Sequence, residues 1–286
     1  EEGVVGNFNL VGLLCQELMR LGRDDVLQAL KPHCIGTQTY GHSLHPTICE
    51  VTDLADYAQA YRNAVEMETR GIDLIRKATG VDRVVFQCPP GNSWSYVSFY
   101  AYADMGIRFI GGSGFTDHPI DSGGAYGAGG IVRRGNVAEG LWLCNVYHVP
   151  YSHLFLLEDM LPRRGIPEPD YAAVLDKMAQ RDTVSLYMHP HMAVKTRHWD
   201  GPNYKGKNHV EWGKWIQVED RPAAETETFY ARFRSFVRRI KADPRFELTD
   251  LSRIEKTLKP RVALRRSDLP TVRQRLRRAL APVSSP

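Results

Sequence analysis

The 286-residue sequence predicts an α/β fold, read as an irregular or incomplete (β/α) barrel with parallel strands. Three observations lead there. Strand-like and helix-like segments alternate along most of the chain, the pattern of parallel strands covered by helices. No glycine fingerprint follows the first strand, as a doubly wound dinucleotide-binding sheet usually requires. The polar residues capable of chemistry fall just after strand-like runs, where barrels of this class hold their sites.

Each element has its own signal. VVGNFNLVG (Val4 to Gly12) reads as the first strand, followed by helices over LLCQELMRLG and DDVLQALK. The second of these opens with carboxylates near the positive end of its dipole. Cys34 to Thr39 reads as a short strand. Asp53 to Thr79 carries Leu54, Tyr57, Tyr61, Val65, Ile72 and Ile75 at helical spacing, and Gly80 sits where a C-terminal cap belongs. Strand RVVFQ, a PPG turn, and a helix over SWSYVSFYAYADMG with Ser93 as its cap come next. GIRFI is a further strand, and glycine-rich Gly111 to Gly135 reads as a long loop. LWLCNVYHV, DYAAVLDKMAQ and TVSLYMH continue as strand, helix and strand. The helix from Ala223 to Lys241 stacks Phe229, Phe233, Val237 and Ile240 on one face, and RFELT closes the series. Residues 1–260 are expected to form the barrel domain and 261–286 a C-terminal helical tail.

Composition narrows the function classes. Hydrophobic and charged fractions of 43% and 24% are ordinary for a globular protein. The net charge of +4 comes largely from RFRSFVRRIK and TVRQRLRRAL. That is a local basic strip, better explained as a solvated helix face than as a nucleic-acid site. No apolar run approaches the ~20 residues of a membrane span. The five cysteines are odd in number and lack CxxC spacing, so neither a disulfide frame nor a cysteine zinc site is indicated. Cys88 reads as packing rather than as a nucleophile.

Three clusters follow strands: Gln38, His42 and His45; FQCPPGNSW (Phe86 to Trp94); and LYMHPHM, with His189 and His191. Imidazoles suit zinc and related divalent ions, and a catalytic zinc typically keeps three protein ligands and one open position. Pro46 and Pro190 push the histidine before each toward extended backbone. Taken alone, the first cluster reads equally as a site or as surface. His189 and His191 are expected to diverge, leaving at most one facing a site. The PPG turn reads equally as a conformational stop or as a substrate wall. His198 and Asp200 fit the mouth of a site or a polar loop equally well. Asp117, His118 and Asp121 are a weaker cation candidate, and either His148 or His153 is expected near the site.

With these motifs in view, the chain resembles a divergent polysaccharide deacetylase, of the carbohydrate esterase group related to chitooligosaccharide deacetylases. EEGVVGNFNLVG is similar to that family's second strand, GVxATFFVxG. IGTQTYGHS is similar to its second motif, IGxHTxxHP; FQCPPG to its third, RxPxG; and SLYMH to the strand ending in LxH. Carried over by position, His42 is the second metal histidine and His189 the general acid that protonates the leaving amine. Pro89 and Gly91 fall on the third motif. Gln38 stands where the first metal histidine belongs, and Gln87 where an arginine orients the catalytic base. The aspartate pair of the first motif is expected on a strand before Glu1, so the chain reads as a fragment of a longer protein.

The resemblance implies metal-assisted amide hydrolysis on an N-acetylated amino-sugar polymer or a related amide. The metal set is His42, His45 and Gln38, with His45 replacing the ligand lost at position 38 and zinc the expected ion. His189 is the catalytic residue, and Pro89, Gly91, Trp94 and Trp199 line the substrate. The alternative is a carbohydrate-binding or scaffold protein that keeps the barrel without the chemistry. No nucleic-acid partner is expected.

Overall fold

The computed structural model describes residues 2–90, 94–111, 141–143, 145–149, 157–162, 165–180, 183–205, 208–209 and 214–257. Strand β1 (Asn7–Leu10) leads into α1 (Gly12–Arg20) and α2 (Asp24–Leu30), and β2 (Cys34–Thr37) follows. Next come α3 (Ile48–Thr52), α4 (Tyr57–Thr79), β3 (Phe86–Gln87), α5 (Tyr96–Asp104) and β4 (Phe109–Ile110). The hairpin β5 (Leu141–Leu143) and β6 (Val146–His148) precedes α6 (Tyr171–Met178), α7 (Asp200–Asn203) and the small ribbon β7 (Tyr204–Lys205) with β8 (Asn208–His209). Helices α8 (Ala223–Ala242) and α9 (Leu251–Thr257) end the described chain.

The main sheet runs β1-β2-β3-β4-β6-β5. β1, β2, β3, β4 and β6 are parallel neighbours, and β5 pairs antiparallel with β6. This is the α/β class read from the alternation of elements. The described strands show the parallel sheet without closing it into a barrel.

Strand alternation sorts the side chains between two faces. Leu10, Ile35, Ile110 and Val146 pack with Cys15 of α1, Ile75 of α4 and Phe99 and Tyr102 of α5. Cys34, Phe86 and Phe109 point the other way, against Leu251 and Ile254 of α9. β2 is buried at all four positions because both its faces are covered. α9 sits at the N-terminal end of the strands, where Leu251 N–H donates to Asn7 Oδ1 at 2.9 Å and Arg83 reaches Glu255 at 3.0 Å. The opposite, C-terminal edge is therefore the end left for a site.

Several sequence-based boundaries shift. The helix expected from Asp53 begins at Tyr57, because the Asp56 side chain accepts from Gln59 N–H and caps it there. The short helix before it, α3, is closed by a Thr47–Glu50 capping box. Gly80 takes the left-handed cap conformation, as its position predicts (φ 75°). The buried seam of α4 is Ala60, Ala64, Glu68, Gly71, Ile75 and Thr79, while Leu54 and Tyr57 are exposed. Small residues win that face because α1 packs closely on it. A Cβ added at Gly12 would lie 2.7 Å from Gly71 Cα.

Ser95 caps α5, with Ser98 completing the box; Ser93 lies outside the described residues. The run LWLCNVYHV folds back on itself as β5 and β6, and the positive φ of Asn145 (63°) turns the chain. Thr183 to His189 and RFELT join no ladder, although Val184, Leu186 and Met188 pack as alternate residues on a second core with α6 and α8. On α8 the deepest residues are Phe229, Phe236 and Ile240, so Phe236 takes the place expected of Val237. The glycine-rich loop with Asp117, His118 and Asp121, and all positions from 258 onward, lie outside the described residues.

Candidate functional site

The C-terminal edge is built on one register row across the parallel strands. Leu10, Thr37, Gln87, Ile110 and His148 are successive Cα partners. Thr37, Gln87 and His148 are polar yet almost fully buried. Among the described residues, Thr37 Oγ1 and Gln87 Oε1 have no hydrogen-bond partner, and the His148 ring meets Phe99 edge-on at 4.9 Å. The loops that leave this row carry the sequence-predicted residues.

The first loop, after β2, starts at half-buried Gln38, whose N–H donates to Leu10 O at 2.8 Å and prolongs the β1 pairing. Thr39 and His42 both adopt positive φ (67° and 54°), costly for residues with a Cβ. His42 N–H donates to Thr39 Oγ1 at 3.0 Å, and His42 Nδ1 lies 2.6 Å from Ser43 Oγ. His45 is held separately: its Nδ1 lies 2.6 Å from Glu50 Oε2, on the carboxylate that completes the α3 capping box. Burial alone would raise the Glu50 carboxyl, but the bonds from Thr47 N–H and His45 outweigh it and lower it.

The second loop, after β3, buries Pro89 and half-buries Cys88, whose N–H continues the ladder to Thr37 O. Burial pushes the Cys88 thiol up to about 11, which suits packing rather than nucleophilic attack. Trp94 stacks on Phe99 at 4.7 Å and meets Tyr96 edge-on, so it is tied into the helix layer. Gly91 lies outside the described residues.

The third segment brings the histidines together. His189 precedes a 3-10 turn over Pro190–Ala193. Residues two apart share a face of an extended strand, and the turn keeps the rings of His189 and His191 within 5.8 Å. The expected divergence is therefore wrong. His198 enters between them: its ring is 4.6 Å from that of His189, and its Nδ1 is 3.1 Å from His191 Nε2. The next residue, Trp199, lies edge-on to His42 at 5.5 Å and stacks on Trp215 at 4.8 Å. One dipeptide, His198–Trp199, thus touches both the loop after β2 and the segment after position 186. Tyr187 completes the junction, since its ring faces His189 at 5.7 Å. Burial, and then the nearby Cys88 thiol, raise its phenol.

Buried Asn203 fixes this dipeptide. Its amide donates to Trp199 O (2.8 Å) and Ile216 O (3.1 Å) and accepts from Ile216 N–H (2.7 Å). Arg221 Nε donates to Met192 O at 2.9 Å and anchors the turn below His191. Of the residues the sequence analysis nominated, the structure joins His42, Trp199 and His189 through His198. It keeps His45 on Glu50 and Trp94 on Phe99. Trp215, Asn203 and Tyr187 had no local signal, because only tertiary packing brings them to the site. Among the described residues, no group of three or more His, Cys, Asp or Glu side chains is placed to hold a metal ion.

No protein-family model matches the chain, and no curated protein matches it by sequence. A solved structure described as a "putative polysaccharide deacetylase from Mycobacterium smegmatis" superposes on it with a TM-score of 0.51. The match has 16% identity and covers 92% of this chain and 77% of that one. At that identity the likeness concerns the fold: this is a deacetylase-like α/β architecture.

Proposed function

We propose that the chain is a metal-dependent hydrolase of the polysaccharide deacetylase type, acting on an N-acetylated amino sugar or a related amide. The observation that supports the reading is the meeting of His42, Trp199, His198 and His189 beyond the C-terminal edge of a parallel sheet. That edge is where parallel α/β folds hold their ligands.

The residues that would hold a divalent ion are His42, His45 and Gln38. Two imidazoles and an amide suit zinc in type, and a carboxylate behind His45 is the arrangement that orients a metal-binding ring. Bound there, zinc would supply polarisation of an amide carbonyl and a more acidic water. The described residues would add a wall for the sugar and a proton for the leaving group, but not the base that takes the water's proton. Trp199 and Trp215 present a stacked aromatic wall to a sugar ring. His189 donates a proton to the departing nitrogen, and His191 and His198 form the hydrogen-bonded pair behind it. Pro89 and Gly91 would line the substrate, as the resemblance implies.

A second reading is a carbohydrate-binding protein without the chemistry. Gln38 and Gln87 favour it, because each stands where the resembled family uses a cationic or metal-binding side chain. One experiment separates the two: acetate release from N-acetylglucosamine oligomers, with and without zinc, for the wild type and His189→Ala. Zinc-dependent release lost in the variant supports the hydrolase. Oligomer binding with no release supports the second reading, and neither binding nor release sinks both.

A further inference from the structure

The loop that carries Gln38 and His42 is gripped from behind at one residue. Tyr40 N–H donates to Glu68 Oε1 at 3.2 Å, and Tyr40 O accepts from Leu13 N–H at 2.9 Å. Arg70 lies over the Tyr40 ring, 4.6 Å from its centroid, and donates to its hydroxyl at 2.9 Å. Gly71 of α4 lets the backbones meet, since a Cβ there would lie 2.9 Å from Tyr40 Cα. Tyr40 stands between Thr39 and His42, the two residues of the loop with positive φ. The grip therefore holds the strained part of the loop.

Glu68 is the unusual member. It is fully buried in the middle of α4, on the face that otherwise carries Ala60, Ala64, Gly71 and Ile75. Its Oε1 serves Tyr40, while Oε2 has no hydrogen-bond partner among the described residues. The Tyr102 hydroxyl of α5 lies close by, outside hydrogen-bond geometry but near enough to favour the charged carboxylate. The groups acting on the Glu68 charge are the Tyr40 N–H and the Tyr102 hydroxyl; among the described residues no Lys, Arg or His side chain is one of them. The Cys49 thiol of α3 acts in turn on Tyr102. A buried carboxyl without a cation is costly as an anion, and a leucine would pack at such a position without that cost.

We propose that Glu68 is a positioning residue: a proton-sensitive clamp that sets the backbone of the loop bearing Gln38 and His42 through Tyr40. Protonated, the carboxyl offers Tyr40 one neutral acceptor. Ionised, it offers a charge-assisted one, the stronger kind of bond. Burial pushes this carboxyl up to about 7, so the exchange between the two forms falls near neutrality. The proposal is independent of the hydrolase reading, because its test needs no activity.

The test is amide NMR on the full chain, wild type against Glu68→Gln and Glu68→Ala. Glu68→Gln keeps an acceptor for Tyr40 and removes the titration. In the wild type, the Tyr40 amide shift moves with a midpoint near 7, and the step is gone in Glu68→Gln. In Glu68→Ala, hydrogen exchange at Tyr40 speeds up by about tenfold, the scale of one lost hydrogen bond. Glu68→Gln restores the protection. A step that survives in Glu68→Gln belongs to the neighbouring histidines and overturns the proposal. Unchanged Tyr40 protection in a folded Glu68→Ala overturns it equally. If Glu68→Ala does not fold, the Glu68→Gln titration alone decides.

Discussion

Substituting Gly71 by alanine sets two effects against each other. In the interior of a helix, alanine is favoured over glycine by about 1 kcal/mol. Yet the added methyl would lie 2.9 Å from Tyr40 Cα, 3.1 Å from Tyr40 N and 3.3 Å from Tyr40 Cβ. The first two are backbone atoms. They cannot swing aside, because Glu68, Leu13 and Arg70 fix Tyr40. Overpacking of this kind costs roughly 1–3 kcal/mol, and a contact under 3.0 Å with fixed backbone takes the upper part of that range, roughly 2–3 kcal/mol, so a net loss of about 1–2 kcal/mol is expected after the helix gain. Urea denaturation gives the midpoint shift, and Tyr40 amide exchange shows where the strain goes. Gly80→Ala is the control: nothing lies within 4 Å of its added methyl, and its cost comes only from the φ of 75°. Both variants lose stability, but only Gly71→Ala speeds exchange at Tyr40. A Gly71→Ala protein as stable as the wild type, with Tyr40 still protected, refutes the close-approach reasoning.

Three further outcomes follow from the same geometry. Raising Glu68 from its ordinary 4.5 to about 7 means the folded state keeps a proton that the unfolded chain releases. Its contribution is complete below 4.5 and is lost as pH rises through about 7. The loss is about 3 kcal/mol, so Glu68→Gln matches the wild type near pH 4 and exceeds it near pH 8. Denaturation midpoints at the two pH values check this, and a pH-independent difference contradicts it. Asn203→Ala removes three hydrogen bonds at a buried site and should cost roughly 2–3 kcal/mol. It should also alter the near-ultraviolet circular dichroism of the Trp199–Trp215 stack, and an unchanged spectrum counts against the role of Asn203 as an anchor. Finally, Cys15, Cys34, Cys49 and Cys88 are free thiols that burial pushes up to about 11 or 12. At pH 8, site-resolved alkylation should run on the order of a hundredfold slower in the folded protein than in the unfolded one. Rapid labelling of any of the four without denaturant contradicts that packing.

Much of the fold was legible because periodicity is a local property. The order of strands and helices through β4, the Gly80 cap and the boundaries of α8 all follow from patterns within about twenty residues. The failures share a cause, which is tertiary override of local pattern. LWLCNVYHV is apolar apart from Asn145 and His148, so a lone asparagine is the one local sign of the turn, and it is too weak to split the run. The α4 seam was expected among large side chains and lies among small ones, because close packing by α1 rewards small residues. At the site, His42, Trp199 and His189 were each nominated from their neighbours in sequence. Their link through His198, and the anchoring of that link by Asn203, joins residues whose partners no local window contains. Glu68 was passed over because a glutamate in a helix reads as surface unless its burial is known.

The attachment of α9 and α8 to the beginning of the chain bears on how the protein forms. Asn7 is bonded to Leu251, and Glu2 to Arg238, contacts between residues 244 and 236 positions apart in sequence. Closures that long are among the last a polypeptide makes, because the intervening loop entropy is lost before any contact rewards it. During synthesis the first strand must therefore wait, with its lower end uncovered, until nearly the whole described length has left the ribosome. Truncations that stop before Leu251 would leave that end open to association with other chains.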